Sequence, residues 1–274
     1  MYNFLGAPPH PYNVALITVV DGVIDDQCSG TLIEVEERRL IATCAHFLRD
    51  NSNKEIGLVC DDEYRSPSCV SISRIVYITQ CSDKDPVHND IGYAEISKET
   101  AEDLSFLQDE RFELNPVESY TDLLFQSGFP ANLTRENTGQ SFSLQPIYTL
   151  TEMGDQFRVK SRFIYGRHVL SAYPSVENAI LPEGELEMPD LHGMSGGGLW
   201  VTSLSKKQEL LWTPSDLKLT GINVEFSDKE EEKPVLGVSL KDFLDLVTDT
   251  ASMQPPGAKA YRIPGGRKVM VMSK

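Results

Sequence analysis

Short apolar runs rich in Val, Ile and Thr, cut off by clusters of Gly, Asp, Asn and Ser, constrain this chain more than any other feature. The first set comprises Val14–Val20, Gly30–Val35, Arg39–Ala42, Ile56–Val59, Val70–Ile78 and Ile91–Ile96. The second comprises Leu123–Gly128, Ser141–Leu150, Phe157–Tyr165, Leu199–Ser203, Lys218–Phe226 and Val235–Val238. Runs of this length and composition, bounded by turn residues, read as strands of a sandwich or barrel. The fold class expected is therefore all-β, in two halves of similar length, residues 1–120 and 121–250. A chain of 274 residues is long enough to give each half its own core.

Two segments depart from the strand pattern. Thr100–Asp109 reads as a short connecting helix, with Asn115-Pro116 as the break after it. Ser239–Thr250 sets Leu240, Phe243, Leu244 and Val247 at helical spacing behind a serine cap, which predicts an amphipathic C-terminal helix. Beyond it, residues 251–274 carry Lys259, Arg262, Arg267, Lys268 and Lys274 and no acidic residue. With Pro-Pro-Gly and Pro-Gly-Gly inside it, this stretch is expected as a basic tail, loosely ordered or docked on the acidic body.

The formal net charge of −16 argues against nucleic acid and anionic membrane as partners, because phosphate contacts need a basic surface. No apolar run approaches the length of a membrane span. The N-terminal residues lack a basic region followed by a long apolar core, so no secretory signal is expected and the cytoplasm is the expected location. Cys28, Cys44, Cys60, Cys69 and Cys81 are odd in number and irregular in spacing, the pattern of free thiols in a reducing compartment. No metal-like pairing of cysteines occurs, and neither metal nor cofactor is expected.

The segment Leu191–Trp200, "LHGMSGGGLW", places a serine among four glycines and then enters an apolar strand. A flexible linker would also be rich in Gly and Ser, but it would not be flanked by Leu191 and Leu199-Trp200. Glycine beside serine lets the backbone turn sharply and present N–H groups, which is what a serine nucleophile needs for a developing oxyanion. Gly193 and Ser195 are the candidate donors. Such a serine also requires a base and a carboxylate that orients it. Among the histidines, His46 follows the apolar run Arg39–Ala42 and reads as the end of a strand, a rigid mount. His88 and His168 read as surface residues, His10 lies in a Pro-rich segment, and His192 is too close to Ser195 in sequence to be the base. Asp90 precedes the alternating run Ile91–Ile96, where a partly buried carboxylate needs a partner; an imidazole N–H would serve.

Taken together these segments resemble the trypsin-like, chymotrypsin-fold serine proteases over about residues 12–250. Cys28-Ser-Gly-Thr-Leu-Ile resembles that family's Cys-Gly-Gly-Ser-Leu-Ile strand, and Ala42-Thr-Cys-Ala-His46 its Thr-Ala-Ala-His motif. Asn89-Asp-Ile-Gly-Tyr-Ala is similar to Asp-Ile-Ala-Leu-Leu, and Gly193-Met-Ser-Gly-Gly to Gly-Asp-Ser-Gly-Gly. Ser127-Gly-Phe-Pro, Gly221-Ile-Asn-Val-Glu-Phe and Lys233-Pro-Val-Leu-Gly-Val resemble three strands of the second half. The resemblance implies two packed six-stranded Greek-key barrels and a Ser195–His46–Asp90 triad acting on a protein or peptide substrate. It implies substrate-binding roles for Asp190, His192, Val224, Glu225 and Phe226.

The departures from the family carry information. Met194 stands where digestive members have an aspartate that receives a new N-terminal ammonium, so activation by N-terminal trimming is not expected. Phe47 replaces the cysteine after the histidine, which removes the usual bridge from the Cys28 position. The intracellular branches share the first departure. By analogy with them, the chain is expected to be a regulated protease, with an activating protein partner, in a bacterial defence assembly. The rival reading is a catalytically silent module that binds peptides.

Overall fold

The computed structural model describes residues 10–59, 68–69, 71–80, 90–100, 102–115, 123–137, 141–152, 167–171, 175–181, 184–202, 216–226 and 235–274. The chain is mostly β, with strands gathered into two large sheets and a C-terminal helix. The first half supplies β1 (Asn13–Val20), β2 (Val23–Val35), β3 (Arg38–Thr43), β4 (Gly57–Val59), β5 (Ser68–Cys69), β6 (Ile72–Gln80) and β7 (Gly92–Ile96). The second supplies β8 (Leu123–Gly128), β9 (Thr134–Asn137), β10 (Ser141–Leu144), β11 (Ile147–Glu152), β12 (His168–Ser171), β13 (Ala179–Ile180), β14 (Gly198–Thr202), β15 (Leu217–Phe226) and β16 (Val235–Ser239). The expected strand at Phe157–Tyr165 lies outside the described residues.

After β16 come helix α2 (Leu240–Thr250) and a hairpin, β17 (Ala258–Arg262) and β18 (Lys268–Ser273). Among the described residues the first sheet runs β17-β18-β6-β7-β3-β2-β1-β4-β5 and the second β12-β16-β15-β14-β8-β11-β13. Strands β9 and β10 form a separate pair. Neighbouring strands pair antiparallel throughout both sheets.

One hydrophobic core joins the sheets. Ile33, Leu40, Val76 and Tyr93 of the first pack in the same cluster as Trp200, Leu219 and Ile222 of the second. Helix α2 enters it with Leu240, Phe243, Leu246 and Val247, an i, i+3, i+6, i+7 stripe, and Ser239 caps it by accepting the Asp242 N–H at 3.2 Å.

Residues 251–274 are docked through a strand, not loosely ordered. Strand β18 pairs with β6 of the first sheet and alternates buried Val269 and Val271 with half-buried Lys268 and Met270. The junction is polar and buried. Arg74 donates to the carbonyls of Thr250 and Ala251 at the C-terminal end of α2, where helical C=O groups lack partners. Arg267 faces Asp249 at 3.4 Å and Asp242 at 3.6 Å. The chain end thus ties the second half back onto the first.

Three local expectations are corrected. Among the described residues of Thr100–Asp109 there is no α-helix. Leu107 accepts from Glu34 N–H at 2.9 Å and donates to Leu32 O at 3.0 Å, so its backbone serves β2 instead of a helical turn. The strand before His46 ends at Thr43, and His46 lies in helix α1 (Ala45–Asp50). His168, expected at the surface, is buried in β12 opposite Val238.

Candidate active site

Strand register brings His46 and Asp90 together. Strands β3 and β7 are neighbours with Thr43 opposite Gly92, so the residues just past the end of one and just before the other meet. The neighbouring strands leave no room for a side chain at Gly92: a Cβ there would lie 2.5 Å from Val76 O. Asp90 then serves as the N-terminal partner of α1. Its carbonyl accepts from Ala45 N–H at 3.1 Å, and its Oδ1 accepts from His46 N–H at 2.8 Å. Its Oδ2 lies 2.5 Å from His46 Nδ1. One carboxylate therefore fixes both the backbone and the ring of His46. With Nδ1 held as the donor, Nε2 is the nitrogen left for chemistry.

Nε2 lies 3.5 Å from Cys44 Sγ. Cys28 and Cys44 are both buried free thiols, and Cys28 Sγ is 3.2 Å from Thr43 Oγ1. The Asp90 hydrogen bond, then the Cys44 contact, outweigh partial burial and push the His46 pKa up to about 11. Burial raises the Cys44 thiol, but its contacts with Cys28 and with the imidazolium pull it down and prevail. Burial and the neighbouring Cys44 push the Cys28 thiol up.

The glycines around Ser195 are there because the loop lies against other backbone. Gly196 has φ +92°, and a Cβ on it would sit 1.9 Å from Ser29 O; one on Gly197 would sit 1.9 Å from Ser127 O. Strand β2 of the first sheet holds this loop of the second. Ser29 N–H donates to Ser195 O at 2.9 Å, and Thr31 Oγ1 donates to Gly196 O at 3.1 Å. Thr43, three residues before His46, donates through Oγ1 to Ser29 O at 2.7 Å, so β2 links the Ser195 loop to the strand that precedes His46.

The loop's amides divide into two kinds. Met194 N–H donates to Leu191 O at 3.0 Å, Gly196 N–H to Asn223 O at 2.6 Å, and Gly197 N–H to Met194 O at 3.0 Å. The N–H groups of Gly193 and Ser195 make no hydrogen bond among the described residues. The His192 carbonyl accepts from Ala131 N–H at 2.8 Å. In a trans peptide, C=O and N–H point in opposite directions, so that contact turns Gly193 N–H the other way. Among the described residues, the unpartnered amides thus stand at Ser195 and two residues before it.

Ser195 Oγ itself donates to Val224 O at 3.2 Å, and among the described residues it has no hydrogen bond to His46. Of the other residues expected to bind substrate, Val224 is buried and meets Ser195 through its carbonyl. Asp190 is exposed and spends Oδ1 on His192 N–H at 3.0 Å, as a loop carboxylate in water. His192 is exposed on the loop, and Glu225 and Phe226 lie on β15 opposite Leu236 and Val235. His10 opens a short 3-10 turn, while His88, Cys60 and Cys81 lie outside the described residues.

Sequence reading missed Ser29, Thr31, Thr43 and Cys44. For Ser29 and Cys44 a signal existed: each stands where the motif it resembles has a glycine or an alanine. Among the described residues no helix is long and apolar enough to cross a membrane. No known protein-family model matches the chain, and no curated protein matches it in sequence.

Proposed function

We propose that this chain is a serine endopeptidase of the trypsin-like kind, with the two sheets as the two barrels of a chymotrypsin fold and the C-terminal hairpin added to the first. What supports the reading is an aspartate-bound histidine, linked through β2 to a serine loop in which, among the described residues, the Gly193 and Ser195 amides are unpartnered.

In this mechanism Ser195 first turns its side chain from Val224 O, a change of rotamer. Its Oγ then bonds to the scissile carbonyl carbon while neutral His46 Nε2 takes the hydroxyl proton. Asp90 stabilises the imidazolium through Nδ1–H, and the Gly193 and Ser195 amides receive the oxyanion. Collapse of the tetrahedral adduct breaks the C–N bond, and His46 returns the proton to the departing amine. Water repeats the sequence on the acyl-enzyme. Each lost oxyanion donor costs about 10²–10³-fold in rate.

The resting contacts of Ser195 with Val224 O and of His46 with Cys44 favour one refinement: the enzyme is latent at neutral pH. A fluorophosphonate probe at alkaline pH tests the assignment. Serine attack on phosphorus expels fluoride, and the wild-type chain is expected to label, with Ser195→Ala at least about 10⁴-fold slower. Equal labelling of both proteins, or none of the wild type, would end the assignment.

A further inference from the structure

Ser29 is fully buried on β2, in the sheet opposite the nucleophile loop. Its hydroxyl has one proton to give. It accepts from Phe129 N–H at 2.9 Å and donates to Gly193 O at 2.8 Å. Thr31, two residues along the same strand, makes a comparable buried bond to Gly196 O at 3.1 Å. The two bonds differ in what they restrain. Gly193 has φ +93° and no side chain to limit its peptide planes. The side chain of its neighbour Met194 is buried among Leu133, Ile147, Leu191 and Val235, an apolar anchor, and its N–H donates to Leu191 O at 3.0 Å.

The peptide planes of the loop are each tied at the carbonyl. His192 O is tied to Ala131 N–H, Met194 O to Gly197 N–H and Ser195 O to Ser29 N–H. The Gly193 carbonyl is tied by the Ser29 hydroxyl. The planes tied at His192 O and Met194 O carry the Gly193 and Ser195 amides, and the plane tied by Ser29 lies between those two.

We propose that Ser29 is a positioning residue for the oxyanion site: its hydroxyl locks the Gly193 peptide, so that the first sheet sets the competence of a loop belonging to the second. This rests on the serine-protease reading above. Ser29→Ala leaves two buried groups without partners, Gly193 O and Phe129 N–H, and leaves the plane between Gly193 and Met194 held only through Met194 N–H on Leu191 O.

The test uses the full chain and the same fluorophosphonate, with the maximal phosphonylation rate separated from the half-saturating probe concentration. Rates are taken below each variant's melting midpoint, and Thr250→Ala, which loses a buried bond to Leu246 O outside the loop, serves as the control. Ser29→Ala is expected to lower the maximal rate about 10²-fold with half-saturation unchanged. Thr250→Ala is expected to stay within about threefold of wild type in both. A Ser29→Ala rate within about threefold of wild type overturns the proposal. So do equal losses in the two variants, or a Ser29→Ala chain without native circular dichroism, because either assigns the hydroxyl to the fold alone. A wild-type chain inert to the probe is a different failure: it removes the protease reading, and this proposal with it, before any Ser29 variant is made.

Discussion

The contact between Cys44 and His46 has a consequence that can be measured. With its pKa pushed up to about 11, His46 is an imidazolium at neutral pH. Its Nδ1–H is committed to Asp90 and its Nε2 side to Cys44, so no lone pair is available to Ser195. The sign follows directly. A raised histidine pKa depletes the neutral base, and the neutral fraction grows about tenfold for each pH unit below that value. Phosphonylation of Ser195 is therefore expected to rise about tenfold per unit from about pH 7 to about pH 9, roughly a hundredfold in all. The stability contribution of the His46–Asp90 pair runs the other way. It is fully present below the unfolded value of about 6.5 and is lost as pH rises through the folded value. Replacing Cys44 by alanine removes the second-largest cause of the upward shift and leaves Asp90 in place. The rise should then move to lower pH and the rate at about pH 7 should increase tenfold or more, since one pH unit of movement equals a factor of about ten. Following the His46 ring proton by NMR alongside the labelling rate ties the two observations to one group. A wild-type rate that stays level from neutral to mildly alkaline pH, or a Cys44→Ala profile superimposed on it, would refute the reasoning.

Two other perturbations read the architecture. Val271→Ala removes two methyl groups from the docked strand β18 at a fully buried position. It should cost about 2 kcal/mol and lower the thermal midpoint by about 4–8 °C, with circular dichroism and Trp200 fluorescence moving together because α2, β18 and Trp200 share a core. A loss under about 0.5 kcal/mol would mean that the hairpin does not pack there. Gly196→Ala places a Cβ 1.9 Å from Ser29 O and 2.4 Å from Thr43 Oγ1 at a positive φ, so it should push β2 off the nucleophile loop. Overpacking and backbone strain together should cost about 3 kcal/mol or more, with labelling of Ser195 lost; a stable, fully reactive variant contradicts the close approach.

What the sequence disclosed and what it withheld separate along a physical line. Strands β1 to β3 and helix α2 were legible because their signals are local: apolar periodicity, turn residues, and a serine cap. Asp90 was legible because a carboxylate at the start of a buried strand needs a partner. Helix α1 was not legible, because what starts it is not local. The amides of Ala45 and His46 are capped by Asp90, forty-four residues away from His46. Strand β18 carries a readable alternation in Val269 and Val271, yet its basic charge and flanking glycines left a loose tail and a docked one both open. Its partner β6 lies far back in the chain. His168 is polar in sequence yet buried in β12, opposite Val238 of β16.

The same distinction applies within the site. A nucleophile, a base and an orienting acid can be named from residue type, since each must carry a particular functional group. The frame that aims them is made of carbonyls and hydroxyls available on almost any chain, and only their placement gives them a role. Ser29 illustrates this. Its N–H and hydroxyl hold two carbonyls of the Ser195 loop, and its own carbonyl is held by Thr43, three residues from His46. A shift of β2 therefore moves the Ser195 loop relative to the strand that leads to His46. On the proposed protease reading, the interface between the sheets, and not either half alone, is the unit that the variants of Ser29 and Gly196 probe.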